Sequence, residues 1–325
     1  MSSALGLVAD IGGTNARFAL TDLRAEPVAI SQPAALCSAD FASLEQAAAH
    51  YLAQVNVRPR RAAIAVASPV GSDAVRLTNR SWTFSRRSLG SALGLDELRL
   101  LNDFGAVARA VPALQPEDCV HLYGPDLPVL HGPVTVIGPG TGLGVAVLVG
   151  SPDEGWQVVE TEGGHVSFAP LTDLEERLAR WISMRHGRAS TERVLSGVGL
   201  SHIDAVIRGV EADPARTAAC DLRDPARIVA GALDDSDPVA RQALTQFCAI
   251  LGSVTADAAL IHGARTVMIA GGIVPRFLPF LRASAFQERF LAKGRFSDYL
   301  ASIPVRVICH PQPGLLGAAV ALREP

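Results

Sequence analysis

The chain has 325 residues, of which 49% are hydrophobic, and a net charge of −3 from 29 basic and 32 acidic side chains. This length is typical of about two domains, and such a chain can bury a large core without a disulfide or metal. The near balance of charge argues against the basic surface of a nucleic-acid-binding protein, so we expect no nucleic-acid partner.

Counts of single residue types exclude further kinds of binding site. Lys293 is the only lysine, and the sequence contains no Gly-x-x-x-x-Gly-Lys-Ser/Thr motif, which excludes phosphate binding by a Walker-type loop. The five cysteines form no Cys-x-x-Cys pair, and the eight histidines form no His-Glu-x-x-His motif. This pattern predicts reduced thiols and no structural zinc site. Because no signal-peptide pattern opens the chain, we expect a cytoplasmic protein.

The first predicted elements are a strand, a glycine turn and a second strand. Residues 7–11 and 17–21 are apolar runs on either side of Gly-Gly-Thr at residues 12–14. Buried strands are also predicted over residues 62–67 and 98–101, and a helix follows the second of these.

The same strand, glycine turn and strand recur at residues 134–149. The whole segment 127–152 carries no charge and is long enough to span a bilayer. Glycine and proline interrupt it at residues 132–133 and 138–142, however, so we predict a buried β-hairpin and no membrane span.

Helices dominate the rest of the chain. Thr172 and Glu175 have the spacing of a capping box, which predicts a helix start there and a stop near Gly187. A short helix is predicted at residues 191–197, and a longer amphipathic helix covers residues 244–258. An apolar strand at residues 266–273 follows, and the alternation of strands and helices indicates an α/β fold.

The two glycine turns are candidate phosphate-binding loops. Glycine lets backbone N–H groups approach phosphate oxygens, and the Thr14 hydroxyl adds a donor, while Asp10 could hold a hydrated Mg²⁺ ion. The first turn alone is better explained as a plain hairpin turn. Two matching turns that each carry Gly-Thr favour a phosphate clamp. The second turn is not a dinucleotide fingerprint, because a strand follows it where that motif requires a helix.

Asn102 and Asp103 lie between a strand and a helix. A helix cap alone would explain the pair. The alternative is a functional carboxylate at the carboxyl end of a strand, where α/β folds place their ligands. A helix N-terminus favours the ionised form that a general base needs.

Glu162 and His165 flank two glycines, and Glu192 lies thirty residues further along the chain. A structural turn could explain the first two, and a solvated glutamate the third. Carboxylates, amides and imidazoles are also the groups that bind several sugar hydroxyls.

Taken in order, these motifs resemble the bacterial glucokinase family of the hexokinase–actin ATPase superfamily. The resemblance covers nearly the whole chain, and the ordered set is more specific than any one motif. It is carried by Ala-Asp-Ile-Gly-Gly-Thr-Asn-Ala-Arg at 9–17, Thr-Asn-x-x-Trp-x-Phe at 78–84, Leu-Asn-Asp-Phe at 101–104, Gly-Thr-Gly-Leu-Gly at 140–144, Glu-Gly-Gly-His at 162–165, Glu-Arg-Val-Leu-Ser-Gly at 192–197, Ala-Gly-Gly-Ile-Val-Pro at 270–275 and Pro-Gly-Leu-Leu-Gly at 313–317.

The resemblance implies a fold, an activity and a set of site residues. The fold would be two actin-like, ribonuclease H-like α/β domains around a cleft: a small domain of residues 1–112 and 313–325, and a large domain of residues 113–312. The activity would be phosphorylation of glucose by ATP and Mg²⁺ to glucose 6-phosphate, the first step of glucose use in glycolysis, by a homodimer. The implied catalytic base is Asp103; the implied sugar ligands are Asn79, Asn102, Asp103, Glu162, His165 and Glu192; and the implied nucleotide-binding residues are Ala9, Asp10, Ile11, Gly12, Gly13, Thr14, Gly140, Thr141, Gly142, Gly271 and Gly272. No dedicated metal ligand is implied, because Mg²⁺ would be bound mainly through ATP and water, with Asp10 as the possible protein contact.

Three other functions stay open at this point: a kinase of the same fold for another hexose, a sugar-sensing protein without turnover, and an actin-like filament protein. Intact Asp103 and both glycine turns argue against a sensor, and the Glu162 motif argues against a filament. Two departures from the expected pattern are Pro139, which removes a backbone N–H, and the segment 159–161 before Glu162, which is more polar than expected.

Overall fold

The computed structural model describes residues 5–67, 73–76, 82–211 and 222–324. The chain forms two compact units. Unit 1 contains Met1–Asp118, Trp156–Glu160 and His310–Pro325, and unit 2 contains Cys119–Gly155 and Thr161–Cys309.

Strands and helices alternate along the described residues, as the α/β pattern predicts. The strands are β1 (Leu5–Ile11), β2 (Asn15–Asp22), β3 (Ser31–Cys37), β4 (Arg61–Val66), β5 (Ala74–Arg76), β6 (Thr83–Ser85), β7 (Glu97–Asn102), β8 (Cys119–Tyr123), β9 (Val134–Pro139), β10 (Leu143–Ser151), β11 (Gly155–Thr161), β12 (Thr266–Ile269) and β13 (Val305–Ile308). The α-helices are α1 (Leu44–Val55), α2 (Arg86–Leu93), α3 (Asp103–Ala110), α4 (Asp173–His186), α5 (Gly197–Ile207), α6 (Pro225–Leu233), α7 (Pro238–His262), α8 (Leu278–Arg282), α9 (Phe286–Leu291), α10 (Ser297–Ala301) and α11 (Pro313–Ala321).

Unit 1 is built on a five-stranded sheet in the order β3-β2-β1-β4-β7. The hairpin β1–β2 is antiparallel, while β1, β4 and β7 run parallel. Their register aligns Ile11 with Val66 and Val66 with Asn102, so the three strands end at one edge of the sheet. The apolar side chains that alternate along these strands form the core of the unit.

Helix α11 returns to this sheet and packs closely against α3. A Cβ atom at Gly317 would overlap the carbonyl oxygen of Ala106, so the two helix backbones meet where only glycine fits. The far end of α11 is fixed by two arginines, because Arg61 and Arg99 donate hydrogen bonds of 2.7 and 2.6 Å to the carbonyl oxygens of Leu322 and Ala321.

The second large sheet has the order β11-β10-β9-β12-β13-β8. Strands β9 and β10 pair antiparallel, which confirms the predicted hairpin within residues 127–152. Helix α7 lies in the core of unit 2. Among the described residues it alone is long and apolar enough to cross a membrane, but 61% of its apolar window is buried in the protein. Core packing therefore accounts for its hydrophobicity.

Local sequence signals set the helix ends. The Thr172 hydroxyl accepts a hydrogen bond from the Glu175 N–H, and Gly187 ends α4 in the left-handed conformation, both as predicted. Pro225 and Pro238 open α6 and α7, where the missing N–H of proline costs nothing.

Two predictions of local structure were wrong. Residues 191–196 form a series of turns instead of a helix, and the N–H groups of Thr191 and Glu192 bond to the loop at residues 164–166. The strand predicted to reach residue 273 ends at Ile269. Gly271 there has a φ of +94°, which is incompatible with a continued strand.

We predict that Gly317→Ala destabilises unit 1, because the added methyl group meets backbone that has no room to move. Overpacking of this kind typically costs about 1–3 kcal/mol. Gly90→Ala in α2 is a matched control, since nothing lies within 4 Å of its would-be Cβ, and alanine is the better helix former. Urea unfolding of both variants measures the difference. Equal stabilities would show that the α3–α11 contact is not tight.

We also predict that His202 makes the protein sensitive to acid. Burial lowers the pKa of His202 to about 4. The ring Nδ1 forms a 2.8 Å hydrogen bond with the carbonyl oxygen of Arg193, which opposes this change only in part. Between pH 6.5 and 4 the unfolded chain binds a proton that the folded chain does not, so the free energy of unfolding falls as the pH falls. A shift of this size corresponds to roughly 3 kcal/mol over that range.

The variant His202→Asn keeps a donor for Arg193 and removes the titration. Its free energy of unfolding, measured by urea at pH 7 and pH 4.5, should fall less than that of the wild type. The neighbouring His186, whose pKa is also lowered by burial, is present in both proteins. Equal losses in the two proteins would contradict the assignment.

Candidate active site

The parallel register of unit 1 places two sets of predicted residues along one edge of its sheet. Strand β4 lies between β1 and β7, and neighbouring strands are about 4.8 Å apart, so the ends of β1 and β7 are roughly 10 Å apart. Asp10 is the last residue but one of β1, and the glycine turn follows that strand; Asn102 is the last residue of β7, and Asp103 follows it. The edge therefore presents a carboxylate and a turn beside a second carboxylate.

Asp10 is three-quarters buried and pairs with Arg17 across the β1–β2 hairpin, where the carboxylate and guanidinium are 3.5 Å apart. Burial raises the pKa of Asp10, and the Arg17 charge opposes that rise. Gly314, at the start of α11, leaves room for the carboxylate, because a Cβ there would lie 3.1 Å from Asp10 Oδ2. The absence of a side chain at Gly314 therefore lets the start of α11 pack against Asp10.

The turn between β1 and β2 is tight at its base and open at its tip. The Gly12 N–H donates to the Asn15 carbonyl oxygen at 3.0 Å, while the Thr14 side chain is exposed. The Thr14 carbonyl oxygen accepts from the Ser38 N–H at 3.0 Å, which holds the turn against the next segment of the chain. The exposed side chain of Thr14 leaves its hydroxyl accessible to a ligand.

Helix capping at α3 falls on Asn102. Its Oδ1 accepts hydrogen bonds from the N–H groups of Phe104 and Gly105 at 3.0 and 2.9 Å. Asp103 occupies the first helical position, is partly exposed, and also accepts from the Phe104 N–H at 2.8 Å. Capping thus accounts for Asn102 but does not by itself require an aspartate at position 103.

In unit 2, the turn between β9 and β10 has the same form. The Gly140 N–H donates to the Gly142 carbonyl oxygen at 2.7 Å, and Thr141 is exposed. Nothing lies within 4 Å of a would-be Cβ at Gly140, so the protein's own packing does not require glycine there.

The glycines after β12 differ from one another. Gly271 has positive φ, and a Cβ there would overlap the Pro139 carbonyl oxygen, so close backbone approach explains this glycine. Gly272 is exposed and has open space around it. Pro139 itself ends β9 and is buried.

Three of the predicted sugar ligands come together in unit 2. His165 lies 3.9 Å from a carboxylate oxygen of Glu162 on one side and 3.9 Å from one of Glu192 on the other. The side chains of Glu162 and His165 are 75% and 58% exposed, while that of Glu192 is 32% exposed. Two acceptors around an imidazole form a polar group accessible to a hydroxylated ligand.

One predicted site residue, Asn79, lies outside the described residues. The polar residue Glu160, noted above only as a departure, packs against Gly105 and lies 3.6 Å from Arg109 in α3. No local sequence pattern indicates a role for Arg109, because its partners Glu160 and Glu324 are remote along the chain.

Within the described part of the chain, no group of three or more histidine, cysteine or acidic side chains is arranged to hold a metal ion. A cation at this edge of unit 1 would therefore have Asp10 as its protein ligand and would need oxygen atoms from water or a bound ligand.

Comparisons with known proteins identify relatives that match nearly the whole chain. The chain is 44% identical to the glucokinase of Cupriavidus metallidurans over 98% of its own length and 93% of the relative's. It is 44% identical to the glucokinase of Neisseria gonorrhoeae over 97% and 94% of the two lengths. A crystal structure of glucokinase from an Antarctic psychrotroph matches with a TM-score of 0.82 at 38% identity, covering 98% of both chains.

The structural match confirms the predicted α/β, actin-like fold. A family model described as glucokinase matches residues 7–325. This chain belongs to the glucokinase family.

Proposed function

We propose that this protein transfers the terminal phosphoryl group of ATP to the 6-hydroxyl of glucose, with Asp103 as the general base. One observation carries the proposal: an Asn-Asp pair opens a helix at the carboxyl end of a parallel strand, in a chain that matches glucokinases over nearly its full length. Phosphoryl transfer requires mainly positioning and charge neutralisation, which a fixed strand end provides.

Asp103 has the chemistry and the support that this role requires. A primary alcohol is a weak nucleophile, and its proton must leave as the oxygen–phosphorus bond forms, so a fixed carboxylate acts most strongly in the transition state. The N-terminus of α3 favours a negative charge at this position. Asn102, fixed by its capping bonds, keeps its amide N–H₂ for a neighbouring sugar hydroxyl.

The remaining hydroxyls of glucose are assigned to Glu162, His165 and Glu192, with Asn79 as a further predicted ligand. The carboxylates accept hydrogen bonds from hydroxyl groups, and the imidazole donates or accepts according to its tautomer. The 3.9 Å spacings around His165 support this assignment, because the three groups present alternating polar atoms to one small region of unit 2.

ATP is assigned to the glycine turns. In unit 1 the segment is Ala9, Asp10, Ile11, Gly12, Gly13 and Thr14, and in unit 2 it is Gly140, Thr141 and Gly142. The exposed Thr14 and Thr141 hydroxyls and the open space at Gly140 support phosphate contacts. Gly272 is accessible to the adenosine, whereas the packing against Pro139 is sufficient reason for Gly271.

Mg²⁺ fits this donor set. The ion prefers few protein ligands, keeps several waters and binds the phosphates of its nucleotide. Asp10 supplies one carboxylate, which pairs with Arg17 at 3.5 Å. When bound, Mg²⁺ would neutralise charge on the terminal phosphates. Asp10 would orient the ion directly or through a water molecule.

Three finer features belong to this proposal. A homodimer and a small and a large domain with the boundaries predicted above come from the resemblance, and a cytoplasmic location comes from the sequence pattern itself. A kinase for another hexose is the nearest alternative, since such an enzyme would use the same base and the same glycine turns.

We predict that Asp103→Asn folds, binds glucose with similar affinity and loses roughly 10²–10⁴ in kcat, the usual contribution of a general base. Asparagine keeps the shape of the side chain but cannot accept the proton. The measurement is kcat in a coupled assay of ADP formation, together with a glucose Kd by calorimetry and a melting curve.

A matched control for that variant is Asn102→Ala, which removes the helix cap. It should lower the free energy of unfolding by about 1 kcal/mol. If Asp103→Asn lowers the melting temperature as Asn102→Ala does and retains kcat within about tenfold, Asp103 is a structural residue and not the base.

We predict that His165→Ala changes the order of kcat/KM among different hexoses and not only the rate of phosphorylation. A site built to bind a hydroxyl rejects an analogue that leaves its polar groups unpaired, so removing the imidazole weakens discrimination among epimers. The assay compares kcat/KM for glucose, mannose, galactose and N-acetylglucosamine in wild type and variant. Wild-type preference for a hexose other than glucose would refute glucose as the substrate, and an unchanged ranking in the variant would exclude His165 from the sugar site.

A further inference from the structure

A segment of unit 2, residues 191–197, lies between the predicted sugar loop and the second phosphate turn. At its start, the Thr191 N–H donates to the Val166 carbonyl oxygen at 3.0 Å, and the Glu192 N–H donates to the Gly164 carbonyl oxygen at 2.8 Å. The Thr191 hydroxyl adds a 2.6 Å bond to the same Gly164 oxygen. The segment is therefore fixed to the loop that carries Glu162 and His165.

The other end of the segment is fixed to the phosphate turn. The Gly197 N–H donates to the Gly140 carbonyl oxygen at 2.9 Å. The backbone bonds at its two ends make this short segment a physical connection between two loops that are assigned to different ligands.

The Glu192 carboxylate completes this connection through its two oxygens. Oε2 accepts a 3.0 Å hydrogen bond from the Leu143 N–H, at the end of the phosphate turn. Oε1 faces His165 at 3.9 Å. A Cβ at Gly142 would overlap Oε2, so the carboxylate lies directly against the turn. About a third of the Glu192 side chain is exposed and available to a ligand.

We propose that Glu192 couples sugar binding to nucleotide binding within unit 2. The proposal rests on the proposed function, in which Glu192 binds a sugar hydroxyl and residues 140–142 bind phosphate. A hydroxyl bound at Oε1 fixes the plane of the carboxylate and so fixes Oε2 on the Leu143 N–H. That bond orients the turn for phosphate, and by linkage a bound nucleotide strengthens sugar binding by the same factor.

The test is a comparison of coupling factors, defined as the ratio of glucose Kd without and with a non-hydrolysable ATP analogue and Mg²⁺. In Glu192→Gln, the amide oxygen stays on the Leu143 N–H and the amide N–H₂ replaces the acceptor at the sugar side. Typical couplings between two ligands are about 5–150-fold. The wild type should fall in that range, and the variant should approach one.

Glu162→Gln is the matched control, because it makes the same change in a predicted sugar ligand that has no described contact with the phosphate turn. It should weaken glucose binding and keep the wild-type coupling factor. The proposal is overturned if the wild type shows no coupling, if Glu192→Gln keeps it, or if Glu162→Gln loses it equally.

Gly142→Ala is a second variant. Its added methyl group displaces the Glu192 carboxylate from the turn, while the carboxylate itself is unchanged. It should also lose coupling, and melting curves of all variants show whether they fold. Glu192→Ala, titrated with the ATP analogue in the absence of sugar, separates this proposal from the choice of substrate. Weaker analogue binding supports the contact to Leu143 even if glucose proves to be the wrong sugar, whereas unchanged binding refutes it.

Discussion

Parallel pairing of β1, β4 and β7 is the constraint on which the unit 1 half of the proposed chemistry depends. The register that aligns Ile11, Val66 and Asn102 makes the three strands end together. Asp10 and Asp103 then lie along one sheet edge, with β4 between their strands, although they are 93 positions apart in the sequence. A slip of one residue would turn the side chains of a strand to its other face, so the buried core that fixes the register also fixes the site.

Helix α11 supports this edge from the other end of the chain. The glycines of the segment at 313–317 have separate roles: Gly314 leaves space for the Asp10 carboxylate, and Gly317 lets α11 approach α3. The helix that α11 touches is the one whose first residue is Asp103. The packing of α11 against α3 thus contributes to the position of the proposed base.

Unit 2 reaches a comparable arrangement with a hairpin and a parallel strand. The turn between β9 and β10 stands beside the end of β12, where the carbonyl of Pro139 lies so close that residue 271 must be glycine. The segment that contains Glu192 then ties this turn to the loop of Glu162 and His165. In each unit, the proposed binding surface consists mainly of backbone groups, to which a few side chains add the proposed chemistry.

Much of this could be predicted from the sequence, because strands, glycine turns and helix caps are signalled by neighbouring residues. The β9–β10 hairpin and the Thr172 cap are examples. Prediction failed for residues 191–196, where the N–H groups of Thr191 and Glu192 bond to a loop some 25 residues away along the chain. It failed for the same reason at Arg109, and β12 ends early because of the backbone conformation of Gly271, which depends on the neighbouring β9.

The central claim, phosphoryl transfer from ATP to the 6-hydroxyl of glucose, is tested most directly by identifying the product. Phosphorus NMR of the wild-type protein with glucose, ATP and Mg²⁺ should show ADP and glucose 6-phosphate appearing in equal amounts, with no inorganic phosphate. Release of inorganic phosphate without a sugar phosphate, or a phosphate on another hydroxyl, would contradict the account.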